Sequence, residues 1–188
     1  MTDALAEVRI GFLGKLPARG DFCMRGLPRG FCDAWDGWLA EVMPGSREIL
    51  GETWLAAWLE APVWRFALPP GQCGAEAVAG LMLPSVDRAG RHWPLTLAAV
   101  TPDLRVAPAV DEAWLGVLED AGLEAVLSDA TPDRLAERLV AAPPAFTPDG
   151  AAAQWWTQGA PRVAPRRFAA GALPSTAAFA AMLSDEVP

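Results

Sequence analysis

The sequence predicts an α/β protein of three layers, in which a central, largely antiparallel sheet lies between two layers of helices. Apolar segments of strand length at residues 8–13, 63–68, 78–83 and 93–100 are bounded by glycine, proline or other turn residues. Apolar stripes at helical spacing occur both before and after the last three of these segments. A chain of 188 residues with 52% hydrophobic residues can bury a real core, because a domain of about 150 residues already buries roughly 70% of its unfolded surface.

The elements follow in order. Val8-Arg9-Ile10-Gly11-Phe12-Leu13 is a first buried strand. Gly14, Pro17 and Gly20 then interrupt regular structure and predict an irregular, ordered loop over 15–28. Pro28 suits the first turn of a helix, along which Phe31, Trp35, Trp38, Leu39 and Val42 recur on one face. Pro44-Gly45 predicts a break, with a second helix restarting near Ser46 and carrying Leu50, Trp54, Leu55, Trp58 and Leu59.

The segments at 63–68, 78–83 and 93–100 are expected as adjacent strands, the last two joined by an antiparallel hairpin with a structured loop over 84–92. Trp114, Leu115, Leu118 and Leu123 predict a helix within 109–127, and Thr131 caps another that runs to Leu139. Prolines make 141–144 and 161–165 linker-like. Between them Gln154-Trp155-Trp156-Thr157 predicts an edge strand, whose two tryptophans point to opposite faces and leave one exposed at an interface. Pro174-Ser175 introduces a last helix, 176–183. With no internal repeat and no second-domain boundary, the chain is expected as one domain over 1–188, with the arm from about 143 packed on it.

Charge and composition exclude several functions. Fifteen Lys and Arg against 23 Asp and Glu give a net charge of −8, which repels nucleic acid. No run approaches the ~20 apolar residues that span a bilayer, and the N-terminus is acidic without a basic leader, so a cytoplasmic protein without membrane insertion is expected. Cys23, Cys32 and Cys73 form no C-x-x-C pair and are expected as reduced, buried thiols. With His92 as the only histidine there is no zinc-binding spacing. Gly11-Phe12-Leu13-Gly14-Lys15-Leu16 lacks the spacing and hydroxyl of a phosphate-binding loop. Neither metal nor cofactor is expected.

Two loops concentrate the remaining chemistry. Lys15, Arg19, Asp21 and Arg25, with Arg29, make the first loop basic in an acidic protein. It suits an anionic partner surface or a phosphate group, or closes salt bridges against nearby acids. In the hairpin loop, Ser85, Asp87, Arg88, Arg91 and His92 lie close in sequence. Asp87 is expected to pair with Arg88 or Arg91, or to accept backbone amides that hold the turn. A Ser85–His92 hydrolase or nucleotide-handling centre is the rival, without the G-x-S-x-G elbow that would support it.

Taken together, residues 11–22 (GFLGKLPARGDF) resemble the opening signature of the TagF (ImpM) family, accessory proteins of bacterial type VI secretion systems. Leu27-Pro28-Arg29-Gly30-Phe31, Trp35-Asp36-Gly37-Trp38-Leu39, Trp64-Arg65-Phe66-Ala67-Leu68, residues 83–91 (LPSVDRAGR), Pro94-Leu95-Thr96-Leu97 and Trp155-Trp156 continue the likeness. The resemblance implies a longin-like fold. It implies a non-enzymatic cytoplasmic regulator, a post-translational repressor of assembly that binds the forkhead-associated scaffold protein Fha. It carries no catalytic residue, so Lys15, Arg19, Asp21, Arg25, Ser85, Asp87, Arg88 and Arg91 are candidates for partner binding or for organising the fold. A structural subunit of the secretion apparatus is a further alternative.

Overall fold

The computed structural model describes residues 8–144, 146–149 and 152–187; the acidic start over 1–7 lies outside them. In chain order come β1 (Arg9–Lys15), β2 (Phe22–Arg25), α1 (Arg29–Leu50), α2 (Trp54–Leu59), β3 (Trp64–Leu68), β4 (Ala77–Leu83) and β5 (Leu95–Thr101). Then follow β6 (Pro108–Ala109), α3 (Glu112–Leu127), α4 (Pro132–Val140), β7 (Thr147–Pro148), β8 (Ala153–Thr157), β9 (Arg166–Ala170) and α5 (Thr176–Leu183). Seven strands form one sheet in the order β2-β1-β5-β4-β3-β8-β9, antiparallel at every pairing. The short strands β6 and β7 pair separately.

Because successive strand residues point to opposite faces, the apolar strands feed two cores at once. Trp64, Phe66 and Leu68 of β3 face the layer of α1, α2 and α5, while Ala67 faces α3 and α4. In β5, Ala98 and Val100 take the first side and Leu95, Leu97 and Ala99 the second. Adjacent Trp155 and Trp156 divide in the same way. The predicted three-layer α/β architecture is thus what the chain adopts, and its sheet is covered on both faces by helices that would otherwise expose their own apolar stripes. On the α1 side, Trp35 lies 4.7 Å from Phe66 and stacks on Trp155 at 5.9 Å, ring centre to ring centre. Its indole N–H donates to Thr96 Oγ1 at 2.9 Å.

The structure corrects the expected break at Pro44-Gly45, since α1 runs unbroken through it. Pro44 and Ala40, whose carbonyl loses its usual donor, are both exposed, so water can serve that carbonyl. Gly45 lets α5 come close, for a Cβ there would stand 2.3 Å from Thr176 Cγ2. The helix ends instead at Gly51, where φ is 53° and the N–H bonds the Arg47 carbonyl.

The expected irregular loop over 15–28 contains β2, which pairs with β1 from Phe12↔Arg25 to Lys15↔Phe22. Phe22, Cys23 and Met24 do not alternate with polar residues, and a run of three apolar residues is too short to declare a strand. The Trp155-Trp156 strand is not at the edge: β9 lies outside it, and the prolines of 161–165 belong to the β8–β9 connection. Both tryptophans are consequently buried, at 0% and 8% exposure, and neither offers an interface. Among the described residues, no helix is long and apolar enough to cross a membrane.

Candidate partner-binding site

At the end of β1 the two polar loops meet. Gly14 takes φ 135° where a Cβ would fall 2.1 Å from the Pro94 carbonyl oxygen, so only glycine lets the strand pass this close to the second loop. Leu16, fully buried, anchors the turn that follows, and Arg19 N–H closes it on the Leu16 carbonyl at 3.0 Å. The second loop, after β4, is closed by Asp87 N–H to the Arg91 carbonyl (3.1 Å) and Gly90 N–H to the Asp87 carbonyl (3.0 Å). Gly90 supplies the positive φ, 80°, that this turn requires.

Asp87 is the centre of the arrangement, with a side chain wholly removed from solvent. Its Oδ1 accepts the backbone N–H groups of Ala89 and Arg91, both at 2.9 Å. Its Oδ2 accepts Lys15 Nζ at 3.0 Å and Arg91 Nε at 2.7 Å. Burial pushes the carboxyl up. The Arg91 amide, the Lys15 and Arg91 side chains and the Lys15 charge outweigh that and hold it well below the usual carboxylate range. Asp87 thus pairs with Arg91 and also holds the turn amides, while Arg88 goes elsewhere.

The loops are also laced together by main-chain contacts. Ser85 Oγ donates to the Lys15 carbonyl at 2.7 Å, Arg88 N–H to the Arg19 carbonyl at 2.9 Å and the Arg88 guanidinium to the Ala18 carbonyl at 2.7 Å. Arg91 also bonds the Gly20 carbonyl. Lys15, Ser85, Asp87, Arg88 and Arg91 therefore come together and bond mainly to one another and to backbone.

Arg19, Asp21 and Arg25 are exposed, as Arg88 and Arg91 are too, but take no part in the Asp87 network. Arg25 approaches the exposed Asp133 only to 4.0 Å, and Arg29 turns to Asp33 within α1. Sequence reasoning missed Phe22 and Met24, which are 44% and 43% exposed on β2. The sequence carries no alternation here, since Phe22, Cys23 and Met24 are all apolar; only the structure shows that Cys23 alone is buried.

His92 is not bonded to Ser85. It packs edge-on against Trp54 (5.7 Å) and Trp58 (6.5 Å), and burial, then the Arg47 charge, lowers its basicity. Both residues nonetheless line one cleft of about 130 Å³, with Pro17, Leu59 and Leu127. Cys23, Cys32 and Cys73 are free and buried; burial pushes the Cys32 and Cys73 thiols up to about 11 and about 12. Among the described residues no three His, Cys, Asp or Glu side chains gather as metal ligands.

Fold and loops together define a three-layer α/β protein in which a buried carboxylate clamps two loops and leaves flanking arginines exposed. A family model described as the TagF N-terminal domain, type VI secretion system-associated, matches residues 11–142. The chain belongs to this family of type VI secretion-associated proteins. It is similar to the crystal structure of PA0076 from Pseudomonas aeruginosa PAO1, at 33% identity and a TM-score of 0.83 over 95% of this chain and 96% of that one. No curated protein matches it.

Proposed function

We propose that the chain is a non-enzymatic cytoplasmic regulator of the type VI secretion system, a post-translational repressor of assembly that binds the forkhead-associated scaffold protein Fha. Family membership supplies the system. The observation that carries the binding reading is the division of the loop charges. Lys15 and Arg91 are paired with Asp87, whereas the exposed Arg19 and Arg25 have no carboxylate closer than 4.0 Å among the described residues. Exposed guanidiniums on a rigid base suit carboxylates of a partner and speed its encounter.

The test is retention of Fha from cytosol of the source bacterium by the tagged full chain, compared with the Arg19→Glu, Arg25→Glu double variant. The expected result is Fha retained by the first and lost by the second, with unchanged thermal unfolding. Equal retention by both removes this surface, and no retention by either removes Fha as partner.

The shared Ser85–His92 cleft favours a hydrolase as second reading. The Ser85 hydroxyl would first have to leave the Lys15 carbonyl. Turnover of model esters by the wild type that Ser85→Ala abolishes would support it.

A further inference from the structure

We infer that the β2 edge of the sheet takes an extended, acidic segment of a partner protein as an eighth strand, an inference that rests on the partner-binding function proposed above. β2 ends the seven-stranded order and pairs only with β1 among the described residues. Alternate residues of such a strand direct their N–H and C=O groups outward, where an incoming chain can pair with them; on β2 the Met24 carbonyl already accepts the Arg25 guanidinium at 3.0 Å.

The side chains fit that use. Residues directly opposite on paired strands share a face. Met24 opposite Leu13, and Phe22 opposite Lys15, therefore lie on the side of the sheet that carries α1. Cys23 points the other way, into the core beneath α3 and α4. Phe22 and Met24 remain nearly half exposed and offer two apolar seats at the spacing of a strand's alternate side chains.

The other edge is built differently. On β9, Arg166 is held by Asp185 and lies over Trp64, Arg167 lies over Trp156, and Phe168 packs on Trp64. No large apolar side chain of β9 is among the exposed ones. That edge is guarded in the manner expected of a sheet that avoids pairing; the β2 edge presents hydrophobic surface.

Charge bears on the chemistry of the occupant, with the exposed Asp21 lying between the two exposed arginines. In a chain of net charge −8, Arg19 before β2 and Arg25 at its end are exposed. Arg19 has no carboxylate within 4.0 Å among the described residues, and Arg25 reaches only Asp133, at that limit. A segment with apolar residues on Phe22 and Met24 and carboxylates at its ends satisfies both arginines.

The experiment is hydrogen exchange on the full chain, alone and saturated with Fha, beside an array of overlapping peptides tiling Fha and the other type VI components of the source bacterium. The expected result is slowed exchange confined to residues 22–25 and their flanks, with retained peptides that alternate apolar residues with Asp or Glu. Arg19→Glu with Arg25→Glu, and separately Met24→Asp, should each weaken a retained peptide by about tenfold or more. Fha binding without slowed exchange at 22–25 overturns the edge and leaves the proposed function standing. If Fha fails to bind, the proposed function falls; a retained acidic peptide that protects 22–25 still upholds the edge, and an array without one overturns it. A dimer of the free chain that Met24→Asp abolishes assigns the edge to a second copy and overturns the proposal.

Discussion

Asp87 accepts four hydrogen bonds where water does not reach, so its protonation state is tied to folding. Its carboxyl is held below the value it has in an unfolded chain, about 3.9. A depressed carboxylate stabilises the fold fully above the unfolded value and loses that contribution as pH falls towards the folded one. Asp87→Asn should therefore lower the urea midpoint near neutral pH, with a gap to wild type that narrows below about pH 4. A gap that stays constant from neutral to acid pH would show that the charge is not what clamps the loops. The same residue explains why the hairpin's polar cluster holds the turn: every strong acceptor site of the carboxylate is occupied by Lys15, Arg91 or an amide.

Between elements, the contact of β3 with α3 turns on one buried cation. Arg65 sits among apolar residues of β3, and α3 brings Glu112 and Glu119, two helical turns apart on one face, to 3.3 and 2.6 Å from its guanidinium. Its Nε has no partner among the described residues. Removing Glu119 leaves the buried charge with only the more distant Glu112, whereas removing the cation leaves carboxylates that can hydrate, since Glu112 and Glu119 are 56% and 27% exposed. Glu119→Ala should thus cost about 2 kcal/mol or more, and Arg65→Met, which fills the space with apolar atoms, less. Urea unfolding of both variants measures this; the reverse order would mean the ion pair itself stabilises the contact.

At the scale of the whole molecule, the matched family segment ends at residue 142, before β8, β9 and α5. Those elements close the α1 core. β8 pairs with β3, Trp155 stacks on Trp35, and the indole N–H groups of Trp38 and Trp64 donate to the carbonyls of Pro174 (2.7 Å) and Met182 (2.9 Å). Residues 1–142 alone would expose the β3 edge and the tryptophan face of α1. They should aggregate, or bind a hydrophobic dye and unfold without a cooperative transition. A cooperative melt near the wild-type temperature would show that the core closes without them.

Local periodicity carries only what neighbours along the chain can encode. The stripe of Phe31, Trp35, Trp38 and Leu39, the apolar runs of β3, β4 and β5, and the capping residue Thr131 declare their elements in the sequence, because helix and strand burial repeat every few residues. Two layers of helices about one sheet follow from their order. The motifs around Lys15 and Asp87 are visible there too, with the pairing of Asp87 and Arg91, four residues apart. Other features depend on distant contacts. Pro44 stays helical because the carbonyl left without a donor, that of Ala40, belongs to an exposed residue that water can serve. β9 forms because β8 offers it an edge, and that same pairing buries the tryptophan expected outside. The approach of residue 15 to residue 87, 72 positions apart, separates cations held by Asp87 from those that are not. Composition counts both kinds alike; only the tertiary structure, by bringing a buried carboxylate to some and not to the others, decides which of them keep an unpaired charge for a partner.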